Sequence, residues 1–312
     1  MTRTEHTTHD IDVDAPADVV YAVIADAKAW PRRFGPTLHV EHAELAAGVE
    51  RLRIWAGANG EVAQWTSRRE LDRGLRRIRF RQEVSSPPVA SMAGEWQVRE
   101  RPGGSNLTLT HEFTAVDDDP QGVEWITRAT DRNSRTELGN IKTLAESWAQ
   151  LARLEFEFED SVLVDAPLET VYGFLNEAAE WPSRLPHVAR LDLREDTPGI
   201  QHMSMDTRTA DGSEHTTESI RICFPGSGIA YKQLRTPSMM AAHTGRWSFE
   251  ETGHGVRVTS WHAVVLNPEA IPDVLGPDAT IASARAFIRQ AAGGNSRATL
   301  ALAKRFAEER HG

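Results

Sequence analysis

Val13-Asp14-Ala15-Pro16, with Val20-Tyr21 and Trp30-Pro31 behind it, returns in the same chain as Val164-Asp165-Ala166-Pro167, Val171-Tyr172 and Trp181-Pro182. One spacing, 151 residues, separates Val13 from Val164 and Trp30 from Trp181. It still holds downstream, where Trp96 answers Trp247 and His111 answers His262. Near the end of each half Asn133-Ser134-Arg135 answers Asn295-Ser296-Arg297. Solenoid repeats are several-fold shorter. The duplication therefore reads as two copies of one complete domain, over residues 1–153 and 154–312.

Within a copy the order of elements follows from the residue pattern. A short alternating strand (Ile11 to Asp14, Ser161 to Val164) leads to an Ala-Pro pair that opens a helix, since proline is well tolerated in the first turn. Val19, Val20, Val23 and Ile24 give that helix an apolar stripe, and Trp30-Pro31 turns the chain. Strands follow over Val49 to Ala56, Val62 to Leu71, Arg76 to Val84, Gly94 to Glu100 and Asn106 to Ala115. Asn59-Gly60 and Asp211-Gly212 mark matching hairpin turns. Each copy closes on a long amphipathic helix, Gln121 to Leu151 and Pro277 to Glu309, the second carrying a Gly293-Gly294 interruption that costs helix propensity. The expected class is α+β: in each copy a curved antiparallel sheet wraps a long C-terminal helix around an interior pocket.

Composition narrows the function. Of 312 residues 40% are hydrophobic and 26% charged, as in a globular domain pair. A formal net charge of −10 argues against nucleic acid, whose binding rests on neutralising phosphates. The single cysteine, Cys223, suits a reducing cytoplasm. No run of about 18 apolar residues is present to span a membrane. Neither a zinc-type Cys/His cluster nor a Gly-rich nucleotide loop occurs, so no metal or organic cofactor is expected.

Side chains alternate across a strand, which puts Trp65, Ser67 and Arg69 on one face. Both faces of this strand carry polar residues. The large aromatic favours Trp65's side as the covered one, and Ser67 and Arg69 go with it. The pair recurs as Ser219 and Arg221 where Trp65 has become Thr217. An interior arginine beside a hydroxyl suits a site for carbonyl or enolate oxygen. His111 and His262 hold matching places in the fifth of these strands and titrate near neutrality. Arg81, Lys232 in the second copy, stands either in the pocket or among the surface charges Arg76, Arg77 and Arg79.

The Val-Asp-Ala-Pro helix start, Trp-Pro, the Trp65-Thr66-Ser67-Arg68-Arg69 strand and the closing helix resemble the aromatase/cyclases of bacterial type II polyketide synthases. These are members of the helix-grip superfamily that includes START and Bet v 1-like proteins. Two fused copies, with Thr217 to Pro225 and His243 to Trp247, are similar to the di-domain subgroup. The resemblance implies a linear, ketoreduced poly-β-ketone carried by phosphopantetheine on an acyl carrier protein, closure of the first ring between C7 and C12, and dehydration to an aromatic ring. It implies Ser67, Arg69, Arg81 and His111 as catalytic groups. Trp30, Trp65, Trp96, Ser219, Arg221, Trp247 and His262 would contact substrate. The chain departs from single-domain members at Thr37, where they carry a tyrosine, and at His111, where they carry a glutamine. Thr217 and Lys232 make the second copy less like the single-domain site, so the main chemistry is expected in the first. Arg32, Arg33, Arg128, Arg132 and Arg135 would form a basic rim for the acidic carrier. The competing reading is a non-catalytic binder of a hydrophobic or aromatic small molecule.

Overall fold

The computed structural model describes residues 3–58, 61–208 and 214–312, so both expected hairpin turns, at Asn59-Gly60 and Asp211-Gly212, lie outside the described residues. The chain divides into two units, Met1–Ala152 and Arg153–Gly312.

In the first unit β1 (Glu5–Val13) leads to α1 (Ala17–Ala25) and the short α2 (Trp30–Arg33). Six strands follow: β2 (Thr37–Ala46), β3 (Val49–Ala58), β4 (Glu61–Asp72), β5 (Arg77–Val84), β6 (Val89–Arg101) and β7 (Gly104–Ala115). They pair antiparallel in the order β1-β7-β6-β5-β4-β3-β2. Closing the unit are α3 (Pro120–Glu146) and α4 (Trp148–Leu154). The Asp119 side chain starts α3 by accepting from the N–H groups of Gln121 and Gly122, which the first turn leaves without partners. Along one side of α3 lie Ile126, Thr130, Ser134, Leu138, Ile141 and Ala145, buried at helical spacing.

The second unit repeats this plan. It has β8 (Glu155–Val164), α5 (Leu168–Asn176), α6 (Trp181–Arg184), β9 (Val188–Thr197), β10 (Ile200–Arg208), β11 (Glu214–Phe224), β12 (Gly228–Arg235), β13 (Met240–Thr252), β14 (Gly255–Leu266), α7 (Ile271–Leu275) and α8 (Ile281–His311). The sheet order is β8-β14-β13-β12-β11-β10-β9. Each unit is the expected α+β helix-grip arrangement.

The details differ from the sequence expectation in ways that have causes. β2 was not anticipated, because its Glu41-His42-Ala43-Glu44 run reads as polar; at the sheet edge only part of one face is covered. β1 starts at Glu5 rather than Ile11 because its polar half pairs fully with β7. Gly293-Gly294 does not interrupt α8. A Cβ on Gly293 would meet the guanidinium groups of Arg289 and Arg297, which cross it to reach Asp160 on β8. Among the described residues no helix is long and apolar enough to cross a membrane.

Candidate active site

One row of inward-facing residues crosses each sheet. In the first unit strand register aligns Glu50 (β3), Arg69 (β4), Phe80 (β5), Gly94 (β6) and His111 (β7). In the second it aligns Gln201 (β10), Arg221 (β11), Tyr231 (β12), Gly245 (β13) and His262 (β14). The glycine has a steric purpose. A Cβ at Gly94 would collide with the Phe80 ring, and one at Gly245 with the Tyr231 ring and hydroxyl. Its absence lets the aromatic side chain pass over a strand toward the histidine.

This row separates two regions of the first inner face. On one side Ile78, Trp96, Val98, Leu107 and Leu109 pack closed against α1 and α3. On the other, inward-facing Trp65, Gln82 and Met92, together with Phe80 and His111 of the row itself, keep part of their surface accessible. In the second unit Ile229, Trp247, Val256 and Val258 make the packed end, and Tyr231 and Gln233 keep accessible surface.

Arg69 is 1% exposed and heavily engaged. It donates to the carbonyls of Ile24 at 2.9 Å and Ala25 at 2.8 Å, the last residues of α1. Helix ends leave such carbonyls without partners, and a cation there also suits the helix dipole. Its Nε lies 2.7 Å from Glu50, whose other oxygen is 2.7 Å from His42 Nε2. The guanidinium sits 5.0 Å from the Trp30 ring centroid. Burial pulls its pKa down, and Glu50 chiefly opposes that.

Arg221, equally buried, is in a different state. It donates through Nη2 to the Leu175 carbonyl and lies over Trp181, 4.9 Å from the ring centroid. Opposite it stands Gln201, an uncharged residue that donates to Glu195 and to the Asn176 carbonyl. Arg221 Nη1 and Gln201 Oε1 have no hydrogen-bond partner among the described residues.

The histidines differ as sharply. His111 packs edge-on to Phe80 and its Nδ1 is buried without a partner. Burial, helped by His9, pushes its pKa down to about 4. His262 sits in a network: Nδ1 lies 3.0 Å from both Tyr231 Oη and His243 Nε2, and Nε2 lies 2.8 Å from Ser296 Oγ and 3.1 Å from Ser260 Oγ. His243 Nδ1 is 2.9 Å from Gln233 Oε1. Burial drives His262 down to about 4 and His243 to about 3, with Arg289 and His262 respectively adding to the effect.

Several expected site residues are placed otherwise. Arg81 is exposed: it follows inward Phe80 on β5, so strand alternation turns it outward beside Arg79 and Glu83. Trp96 and Trp247, each 6% exposed, belong to the packed ends, one row behind the arginines, rather than to an open wall. Ser67 is inward and buried, but its hydroxyl donates to the Arg81 carbonyl at 3.4 Å and makes no hydrogen bond with Arg69. Ser219 is buried on the matching face. Trp30 and Trp65 are partly buried and pack on the same cluster. Of the rim candidates, Arg33, Arg128 and Arg135 each pair with a carboxylate: Asp26, Glu124 and Asp131.

Glu137 was not anticipated. It lies on α3 one turn beyond Ser134, and it has neither a hydrogen bond nor an ion pair among the described residues. Burial pushes its pKa up to about 7, with Arg69 opposing. Its signal was available: Thr130, Ser134, Glu137 and Ile141 fall on one helical stripe, so a carboxylate there faces the sheet.

The family described as polyketide cyclase / dehydrase and lipid transport matches twice, at residues 4–146 and 155–307. The granaticin polyketide synthase bifunctional cyclase/dehydratase of Streptomyces violaceoruber is 45% identical over 300 residues, covering 96% of this chain and 92% of the relative. The actinorhodin polyketide synthase bifunctional cyclase/dehydratase of Streptomyces coelicolor is 41% identical, covering 94% and 93%. A crystal structure of the di-domain aromatase/cyclase BexL from the BE-7585A biosynthetic pathway superposes with a TM-score of 0.86 at 51% identity, over 97% of this chain and 99% of that one.

Proposed function

The chain belongs to the polyketide cyclase/dehydrase family and is a bifunctional cyclase/dehydratase, and from that premise we propose that it closes and aromatises the first ring of a ketoreduced poly-β-ketone. Closure joins C7 and C12 while phosphopantetheine holds the chain on an acyl carrier protein. The observation that carries this reading is the divided inner face, with a buried guanidinium on the boundary between a packed end and an accessible end lined by aromatic and polar groups.

Ring closure requires a bent chain more than a strong base, because a methylene between two carbonyls is already acidic. Flat walls at Trp30 and Trp65 favour one bend over the competing ones. The methylene loses a proton, its carbon bonds to the carbonyl carbon, and the carbonyl oxygen gains the proton. In the first copy His111 is the base and Ser67 a donor, with Glu137 a further proton carrier whose pKa suits neutral solution. Arg69 acts as a positioning residue: its Nε and both terminal nitrogens already contact Glu50 and the end of α1.

The test is reconstitution with a minimal polyketide synthase and a ketoreductase. The expected result is a C7–C12 aromatic product that appears only when this protein is added. An unchanged product distribution would overturn the proposal. Faster turnover of the carrier-bound chain than of the same chain on a small thiol is expected; equal rates would remove the carrier protein from it.

A further inference from the structure

The two rows keep arginine, glycine and histidine in common and differ where protons and charge are handled. Glu50, Phe80 and Met92 of the first copy stand where the second has Gln201, Tyr231 and His243. The first copy thus has a neutralised arginine, an inert ring and an isolated imidazole. The second has an arginine facing no carboxylate, a phenol and two imidazoles whose ring nitrogens stand 3.0 Å apart.

Resting on the cyclase/dehydratase reading above, we propose that the second domain is the dehydration centre, in which Tyr231 passes a proton from carbon to the departing hydroxyl and Arg221 holds the enolate oxygen. Arg221 and Tyr231 are direct cross-strand partners on the inner face, so their Cβ atoms are about 5 Å apart. Tyr231 keeps accessible surface, and Arg221 Nη1 is buried with nothing to donate to. Tyr231 is the accessible member of the pair; Arg221 Nη1 is closed to solvent, so a substrate oxygen meets it only where the side chains beside Tyr231 part.

One tautomer pair satisfies Gln233 and Ser296 and leaves Tyr231 a base to donate to. Gln233 Oε1 accepts from His243 Nδ1, which leaves His243 Nε2 with a lone pair facing His262. His262 donates from Nε2 to Ser296, and its Nδ1 accepts the Tyr231 hydrogen. Once Tyr231 has protonated it, His262 Nδ1 can donate to the His243 Nε2 lone pair 3.0 Å away, which shares the additional proton between the rings.

The elimination balances on these groups. The carbon beside the ketone loses its proton to Tyr231 Oη as the tyrosine's own proton moves to His262 Nδ1. The C–H electron pair becomes an enolate whose oxygen is held by Arg221. The pair then forms the C=C bond, and the C–O bond breaks toward oxygen. That oxygen takes the Tyr231 proton and leaves as water, while His262 returns its proton to Tyr231. His262 and His243 act through Tyr231 and are positioning residues.

Tyr231→Phe is the direct test, because the matched position of the first copy already holds a phenylalanine on the same backbone. In the reconstituted synthase the dehydrated product should fall about 10²-fold, and a ring-closed product one water heavier should accumulate, with the melting temperature unchanged. Gln201→Glu, which recreates the Glu50 arrangement opposite Arg221, should suppress dehydration while the chain stays folded. His243→Met should lower the kcat of dehydration at unchanged KM. Wild-type product ratios from folded Tyr231→Phe or Gln201→Glu would overturn the relay. Dehydration kinetics unmoved by a His243→Met variant of lower stability would reduce the second imidazole to packing and overturn its part. Absence of ring-directed product from the wild-type chain would instead overturn the reading on which the relay rests.

Discussion

Glu50 and Arg69 form an ion pair across β3 and β4 at 2.7 Å, both nearly closed to solvent. Removing one partner leaves the other as an uncompensated buried charge. Glu50→Ala should therefore destabilise the first domain by about 3–5 kcal/mol, read from chemical denaturation. Arg69→Ala should do the same, since it also strips the end of α1 of its donor. Its loss of activity will then track loss of fold, and wild-type stability in either variant would show that the pair is not structural.

Glu137 gives the first domain a pH dependence of defined sign. Its folded pKa, about 7, lies above the ordinary 4.5, so the folded state binds more protons between those values. The stabilisation is complete below pH 4.5 and is lost as pH rises through 7, amounting to at most about 3 kcal/mol. Glu137→Gln should abolish this slope and leave the variant more stable than wild type at pH 8. A parallel slope in both proteins would place the carboxylate in solvent.

Three histidines act in the opposite direction. His111, His243 and His262 have folded pKa values near 4, 3 and 4, below the ordinary 6.5, so the unfolded chain binds the additional protons. Their contribution is complete above pH 6.5 and falls away as the solution is acidified toward 4. Imidazole NMR signals from these three should stay in the neutral position at pH 5. A midpoint near 6.5 for any of them would show that it is hydrated.

Gly94→Ala and Gly245→Ala each place a methyl group in the path of an aromatic ring. Each should cost about 1–3 kcal/mol, measured by thermal or urea unfolding. The second should also reduce dehydration, because moving the Tyr231 ring takes its hydroxyl away from His262. Wild-type stability of Gly245→Ala would mean the Tyr231 ring shifts freely; at Gly94 the Thr110 carbonyl would have to move as well.

The fold was legible because its evidence is repeated. Every strand of the first copy except β2 had a readable pattern, and β9, its counterpart in the second copy, was missed with it. In these two edge strands alternation is confined to the first half and the rest is exposed. The inward direction of Ser67 and Arg69 was also legible, since Trp65 marked the covered face. What the arginine does there was not. Its ion-pair partner Glu50 lies nineteen positions earlier and the helix carbonyls it donates to some 45 residues away, partners that only strand register and α1 packing bring together. Arg81 was drawn into the pocket by the resemblance alone; Ile78 and Phe80 alternate with Arg77, Arg79 and Arg81 on β5, so the strand's own pattern already turns the arginines outward. The His243–His262–Ser296 network joins β13, β14 and α8 and had no local signal at all.

Because the two rows share a backbone, each residue in one copy is a substitution already fitted into the other. Glu50→Gln, Phe80→Tyr and Met92→His together would transplant the phenol–imidazole network into the first domain, and the reverse three would erase it from the second. The chain thereby carries its own interchangeable parts. Comparing versions with two networks, one or none would separate what doubling the scaffold contributes from what three side chains contribute to reactivity.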